Sequence, residues 1–357
     1  MTKRGTTHRA YRVGIADWVL HVDLDQFLAA VEKRRRPELA DVPVVVGGDG
    51  NPARPRQVVA TASYEARAFG VRSGMPLAAA KRRCSDAVFL PHDRPTYEAA
   101  SEEVMATLRK FPVVVEVWGW DEAFLGATTD DPEALAADIK AGVSAATSLT
   151  CAVGIGDSRL LAKTATGFAK PGGIARLMRS EWFDVMGDRP VTAIWGIGDR
   201  TAARLGDLGV HTVRELGRAD VDQLRASFGP AIGGHLKVLG LGGDDAPIVD
   251  EPWVARSRSK EETFVRDVSD RREIEEHVAR MAREVTTSVV AEGRVVTHVA
   301  VKVRTSTFFT RTKSGKLPDP TVDPEAVAAQ ARVVLGRFDL VRPVRLLGVR
   351  VMLAMPT

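Results

Sequence analysis

Residues 21–32 read HVDLDQFLAAVE. An apolar, strand-like run from Trp18 to Val22 delivers two carboxylates one residue apart, Asp23 and Asp25, and a plain leucine, Leu28, then stands at the head of a helix. A carboxylate taken out of water is costly unless a cation or hydrogen bonds satisfy it. Either these are ordinary turn and cap residues, or one of them holds a metal ion.

A second acidic pair lies downstream in VVVEVWGWDEAFLG, residues 113–126. There an apolar run meets a turn containing Gly119, then Asp121 and Glu122, then the apolar Ala123 to Leu125, as expected of a tight hairpin that projects a carboxylate from the end of a sheet. If its strands lie beside the Asp23 strand, Asp23, Asp121 and Glu122 converge. Three carboxylates at one point repel strongly unless hard cations sit among them. Two Mg²⁺ ions held there could activate an attacking hydroxyl and stabilise a leaving pyrophosphate.

Around these two pairs the chain reads as a multidomain α/β protein. Its 357 residues, 45% of them hydrophobic, suffice for two or more cores. Short apolar strands are expected at 19–23, 42–47, 58–62, 113–118 and 150–155, with amphipathic helices over 96–110 and 132–146 between them. From Trp182 to Leu241 short helices punctuated by glycines suggest a small helical domain. The Gly-, Asp- and Pro-rich GLGGDDAPIVDEPW leads into a last α/β unit that begins near Ser257. Cys84 and Cys151 form no CxxC pair, which argues against a disulfide framework and a zinc site. Residues 1–16 carry Lys3, Arg4, Arg9 and Arg12 without an apolar run and are expected to be a disordered basic arm, neither signal peptide nor membrane anchor.

Charge is distributed unevenly. Arg294, Lys302, Arg304, Arg311, Lys313 and Lys316 face no acidic residue within their block, and five arginines between Gln330 and Arg350 oppose only Asp339. The whole chain is only +4, so the remainder is negative. Such asymmetry is the footprint of a phosphate-backbone binder, although solvated surface charge also accounts for it. In VVTHVAVKVRT, Val299, Val301 and Val303 alternate with His298, Lys302 and Arg304, which puts valines on the core and a basic face outward.

Three further stretches carry candidate ligands. In VVATASYEARAFGVRSGMP, residues 58–76, Thr61, Tyr64 and Arg67 stand three apart and would share one helical face, combining hydroxyls with a guanidinium able to clamp phosphate. In GIGDSRLLAKTATGFAKPGG, residues 154–173, Lys163 and Lys170 are seven apart and would share one side of a helix; either could neutralise triphosphate charge or simply be solvated. In WGIGDRTAARLGDLG, residues 195–209, Gly196, Ile197 and Gly198 precede a helix as in a helix-hairpin-helix element, whose backbone N–H groups can approach a DNA phosphate.

HVDLDQFLAAVE, ATASYEARAFGVRSGMP, WDEAFL, AVGIG, LLAKTATGFAKPGG, IWGIG and LLGVRV together, and in this order, resemble the motifs of Y-family translesion DNA polymerases, most of all the polymerase IV branch, over roughly residues 18–354. The resemblance implies a right-hand fold: palm over 17–26 and 93–177, small fingers over 27–92, helical thumb over 178–245, linker over 246–255, and an α/β little finger over 256–357. It implies a DNA-directed DNA polymerase of low fidelity, acting on primer-template DNA and deoxynucleotides through two Mg²⁺ ions, with Mn²⁺ as the substitute. A cytoplasmic, nucleoid-associated monomer without a membrane partner is expected. Asp23, Asp121 and Glu122 match the family's catalytic, metal-binding carboxylates, and the Leu24 carbonyl its main-chain metal ligand. Tyr64, Arg67 and Lys170, with Thr61 beside them, match the grip on the incoming triphosphate. Gly196, Ile197 and Gly198 would meet the duplex from the thumb, and Lys302, Arg304 and Arg311 from the little finger. Asp25 matches no metal ligand and is read as a helix-capping carboxylate.

The sequence also departs from the family. At Leu28 the family usually carries Phe or Tyr, whose ring collides with a ribose 2′-OH. Leucine should relieve that collision, so ribonucleotides are expected as substrates, unless Leu28 packs as core and Phe27 takes the gate. The serine expected two residues before the catalytic Asp121 is Gly119, so the hairpin could be shaped differently. GVRVMLAMPT shows no Gln-and-hydrophobic peptide for docking a sliding clamp, so distributive synthesis or a different recruiter is expected. A two-metal nuclease would use the same carboxylates but gives no reason for a triphosphate grip. A non-enzymatic DNA-binding protein would be indifferent to loss of Asp23 and Glu122.

Overall fold

The computed structural model describes residues 17–243, 246–251 and 253–356, and the basic arm expected over 1–16 lies outside them. The chain divides into two compact units, Met1–Pro52 with Gln57–Glu251, and Ala53–Arg56 with Pro252–Thr357.

The first unit contains strands β1 (Asp17–Leu24), β2 (Val44–Val46), β3 (Thr61–Ala62), β4 (Val88–Leu90), β5 (Val113–Val117), β6 (Glu122–Thr128), β7 (Cys151–Gly156) and β8 (Ile174–Leu177). Its helices are α1 (Phe27–Arg35), α2 (Tyr64–Ala68), α3 (Leu77–Arg83), α4 (Arg94–Leu108), α5 (Pro132–Thr147), α6 (Arg159–Ala169), α7 (Trp182–Met186), α8 (Asp199–Gly206), α9 (Val213–Arg218), α10 (Val221–Phe228) and α11 (Pro230–Gly240). A five-stranded sheet in the order β5-β6-β1-β7-β8 forms its centre, with β1 antiparallel to both neighbours. The two-residue period of a strand divides β1 between the faces. Leu20, Val22 and Leu24 join Val104 and Leu108 of α4 and Ile139 and Val143 of α5 in one core, while His21 meets α6 on the other face. Asp23 continues that second face at the strand's open end.

α6 lies unusually close to the sheet. A Cβ on Gly154 of β7 would stand 2.0 Å from the Ala162 carbonyl oxygen, so only glycine admits the helix at this distance. A smaller sheet, β3-β2-β4, packs with α2 and α3 around Val45, Ala62, Leu77 and Ala80. The strand expected over 58–62 is short, with Val58 making only an isolated bridge to Pro76. Helices α7 to α11 surround the fully buried Trp182, whose indole N–H donates to the Gly240 carbonyl at 3.0 Å.

The second unit carries β9 (Ser257–Val268), β10 (Val296–Thr305), β11 (Thr310–Thr321) and β12 (Val344–Leu353), with helices α12 (Arg271–Ala291) and α13 (Pro324–Leu335). The strands form an antiparallel sheet in the order β11-β10-β12-β9. Val299, Val301 and Val303 face the helices in its core, as their alternation requires. Both cysteines are buried and free, and burial pushes the Cys151 thiol up to about 12.

Candidate active site

The β1–β6 ladder places Asp23 directly opposite Glu122. The Leu24 N–H donates to the Asp121 carbonyl at 2.8 Å, which fixes the hairpin tip against the end of β1. The hairpin closes with Trp118 N–H and Gly119 N–H both donating to the Glu122 carbonyl, at 3.1 and 3.2 Å. A Cβ at Gly119 would meet Asp121 Oδ1 and Glu122 Cγ at an ordinary 3.4 Å, so the missing serine leaves the turn undistorted. Burial, together with the nearby Asp23 and Glu122 charges, raises the Asp121 carboxyl above its usual pKa. The three carboxylates therefore share one electrostatic neighbourhood, as the two acidic motifs suggested.

Cations of the chain itself answer part of this charge. Lys170 Nζ donates to Asp23 Oδ1 at 2.5 Å, and Lys163 pairs with Glu122 Oε2. His21 Nε2 is 3.3 Å from the same Glu122 oxygen, and its Nδ1 is 2.9 Å from the Thr166 hydroxyl of α6. Burial lowers the His21 pKa, so the ring acts as a neutral hydrogen-bonding group. His21 and Lys163 outweigh burial and hold the Glu122 carboxyl at about 2. No three His, Cys, Asp or Glu side chains among the described residues form a ready-made cation cage. The donor set nonetheless suits a hard divalent ion: all-oxygen carboxylates, whose crowded negative charge a cation would relieve.

The phosphate-binding candidates are arranged differently from the expected single helical face. Thr61 lies on β3, and Ser63 caps the new helix, its hydroxyl accepting from Ala66 N–H. Only Tyr64 and Arg67 therefore share the turn, because the cap needs extended backbone at Ser63. The Arg67 guanidinium stacks 5.1 Å from the Tyr64 ring centroid and its Nε donates to the Ala62 carbonyl at 2.9 Å. Lys170 is not on α6 either. It ends the helix in extended conformation, since the following Pro171 disfavours helical backbone at the residue before it.

Asp25 is not the helix cap the sequence suggested. Gln26 occupies the N-cap position in left-handed conformation, and Asp25, 2% exposed, accepts 2.7 Å and 3.0 Å hydrogen bonds from the Tyr64 and Thr150 hydroxyls. Leu28 and Phe27 both belong to the core cluster, with Leu28 at 8% exposure and Phe27 at 3%. Phe27 is thus the more deeply packed of the two candidates for the sugar side.

In the helical segment Gly196 adopts φ +97°, Ile197 is buried, and Gly198 precedes α8 as its N-cap. In the second unit Lys302 is not free: Glu261 on β9 engages its ammonium through both oxygens at 2.9 Å. Arg304 donates to the Thr310 hydroxyl on that same face, but Arg311, expected beside it, stands opposite the core residue Val303 in the β10–β11 ladder and so lies on the helix side of the sheet, where it stacks on Phe309. His21, Thr166 and the tyrosine-holding role of Asp25 were not found from sequence. The alternation that put Asp23 on the open face also put His21 there, and that signal was available.

The chain is similar to known proteins over most of its length. Residues 22–167 match the impB/mucB/samB family, and residues 255–355 match that family's C-terminal domain. The chain is 52% identical over 340 residues to a protein named DNA polymerase IV 2 of Mycobacterium tuberculosis, covering 94% of this chain and 98% of that one. It is 39% identical to DNA polymerase IV of Methanoculleus marisnigri, with 93% of each chain covered. A chimeric Y-family DNA polymerase built from Dbh and Dpo4 superposes with a TM-score of 0.82 at 28% identity, covering 94% of this chain and 98% of the other. The palm, fingers, thumb and little-finger architecture is that of these polymerases. The chain belongs to the impB/mucB/samB family and is a Y-family, polymerase IV type DNA-directed DNA polymerase.

Proposed function

We propose that nucleotide transfer in this enzyme runs through Asp23, Asp121 and Glu122, with the Leu24 carbonyl beside them, as ligands of two divalent cations, Mg²⁺ or in its place Mn²⁺. The observation that carries this reading is the ladder pairing of Asp23 with Glu122, with the Asp121 carbonyl bonded to Leu24 N–H at the same strand end. Such cations, when bound, supply activation of the primer 3′-OH and stabilisation of the leaving pyrophosphate.

The protein's own groups do the rest. Tyr64, Arg67 and Lys170 grip the triphosphate, with Thr61 adjacent, and Asp25 holds the Tyr64 phenol in place. Lys170 exchanges Asp23 for phosphate when a nucleotide enters. Gly196 to Gly198 and the open sheet face bearing Arg304 hold primer-template DNA through its backbone, without reading sequence. Leu28, at the head of α1 and shorter than an aromatic ring, leaves room for a ribose 2′-OH, so ribonucleotides are substrates alongside deoxynucleotides. Small fingers and an open site make synthesis inaccurate.

Replacement of Asp121 by Ala tests the site. It should abolish Mg²⁺-dependent primer extension while DNA binding persists. Full extension by the variant would remove Asp121 from the mechanism, and degradation of DNA by the wild type without nucleotides would favour a nuclease.

A further inference from the structure

Lys163 stands at a junction that triphosphate binding does not explain. It projects from α6, which the small Gly154 and Gly156 let down onto β7. Its ammonium pairs with Glu122 Oε2, lies 3.3 Å from His21 Nε2, and sits 5.3 Å from the Trp195 ring centroid. Trp195 immediately precedes the Gly196–Ile197–Gly198 turn. Its ring also packs on Trp118 at 5.2 Å and on Phe124 at 6.2 Å, residues that flank Asp121 and Glu122 on the palm hairpin. One cation is therefore held between a carboxylate at the site and the aromatic ring that leads into the thumb turn.

We propose that Lys163 is a positioning residue for Glu122, and that Trp195 sets Lys163, so that the thumb turn and the carboxylate are coupled through a single ammonium. The Lys163 and His21 contacts both fall on Oε2. Pinning that oxygen fixes rotation of the carboxylate, and with it the aim of Oε1. The cation is attracted to the face of the Trp195 ring as well as to the carboxylate, so displacement of the ring changes how firmly Glu122 is held. This inference rests on Glu122 acting at the reacting centre, which Glu122→Gln tests separately: full activity in that variant removes Glu122 from the site, whatever Lys163 does.

The coupling is tested by a double-mutant cycle on the full chain with Lys163→Met and Trp195→Leu, using single-nucleotide primer extension. Lys163→Met should lower kcat by about tenfold or more and leave the nucleotide KM within about threefold, the pattern of a lost positioning contact. Trp195→Leu should slow the wild type yet cause little further loss in the Met background, because both changes act through one group. Lys163→Arg, which keeps the charge over the ring, should recover part of the rate. Calorimetric titration of the DNA-free chain with Mn²⁺ gives a readout independent of turnover: removing the lysine charge should tighten Mn²⁺ binding by about threefold or more. A raised KM with unchanged kcat would make Lys163 a triphosphate ligand and overturn the proposal. Multiplicative losses in the cycle, or Mn²⁺ binding left unchanged, would overturn it as well.

Discussion

The Tyr64 phenol donates a 2.7 Å hydrogen bond to Asp25 Oδ1 while the Thr150 hydroxyl holds Oδ2 at 3.0 Å, so one buried carboxylate, just past the end of β1, ties α2 to the start of β7. Burial and the neighbouring carboxylate push the Tyr64 pKa up, which keeps the phenol protonated and donating. Asp25→Ala frees both hydroxyls, and a lost hydrogen bond of about 1 kcal/mol corresponds to roughly a fivefold rise in nucleotide KM. Steady-state kinetics with kcat and KM separated check this. An unchanged KM would mean that Tyr64 does not need Asp25.

The seat of α6 depends on Gly154, where a Cβ would collide with the Ala162 carbonyl. Gly154→Ala must push the helix away or distort β7, at a cost of about 1–3 kcal/mol. Urea unfolding measures that loss. The same displacement carries Lys163 away from Glu122, so activity should fall further than stability alone explains.

Glu122 gives the fold an acid-sensitive contribution. Its folded pKa of about 2 lies below the ordinary 4.5, so the stabilisation is fully present above pH 4.5 and is lost as pH falls from there toward 2. Urea midpoints measured across that window should decline less steeply for Glu122→Gln than for the wild type. Parallel curves would show that the Lys163 and His21 contacts do not persist in solution.

In the little finger, Glu261 neutralises the Lys302 ammonium on the face expected to hold DNA. Glu261→Gln should therefore tighten DNA binding at low salt and steepen the dependence of log Kd on log salt by about one unit. Lys302→Ala should cost less affinity than Arg304→Ala, whose guanidinium shares that face without a carboxylate partner among its hydrogen bonds. Binding isotherms at several salt concentrations distinguish these outcomes.

Much of the architecture was legible because its signals are local. The apolar run ending in Asp23 marked β1, the acidic pair between two apolar runs marked the β5–β6 hairpin whose second strand lies beside it, and the Val299, Val301 and Val303 alternation marked a one-sided sheet. Partnerships across the fold were less legible. Asp25 has the residue type and position of a cap, yet Gln26 occupies the cap, because a tyrosine hydroxyl 39 residues away competes for the carboxylate. Thr61, Tyr64 and Arg67 have helical spacing, but the Ser63 cap starts the helix between them. Lys302 lies on a basic face whose neutralising glutamate belongs to a distant strand.

Leu28, in place of an aromatic ring, should leave the sugar side of the nucleotide site open. Single-nucleotide primer extension compares kcat/KM for a deoxynucleotide and the matching ribonucleotide, with wild type and Leu28→Phe side by side. The expected result is a wild-type preference within roughly a hundredfold, about 2.7 kcal/mol, and rejection of the ribonucleotide by the Phe variant. Wild-type discrimination of several orders of magnitude, or a Phe variant no more selective than the wild type, would contradict it and return Leu28 to the core that packs around it.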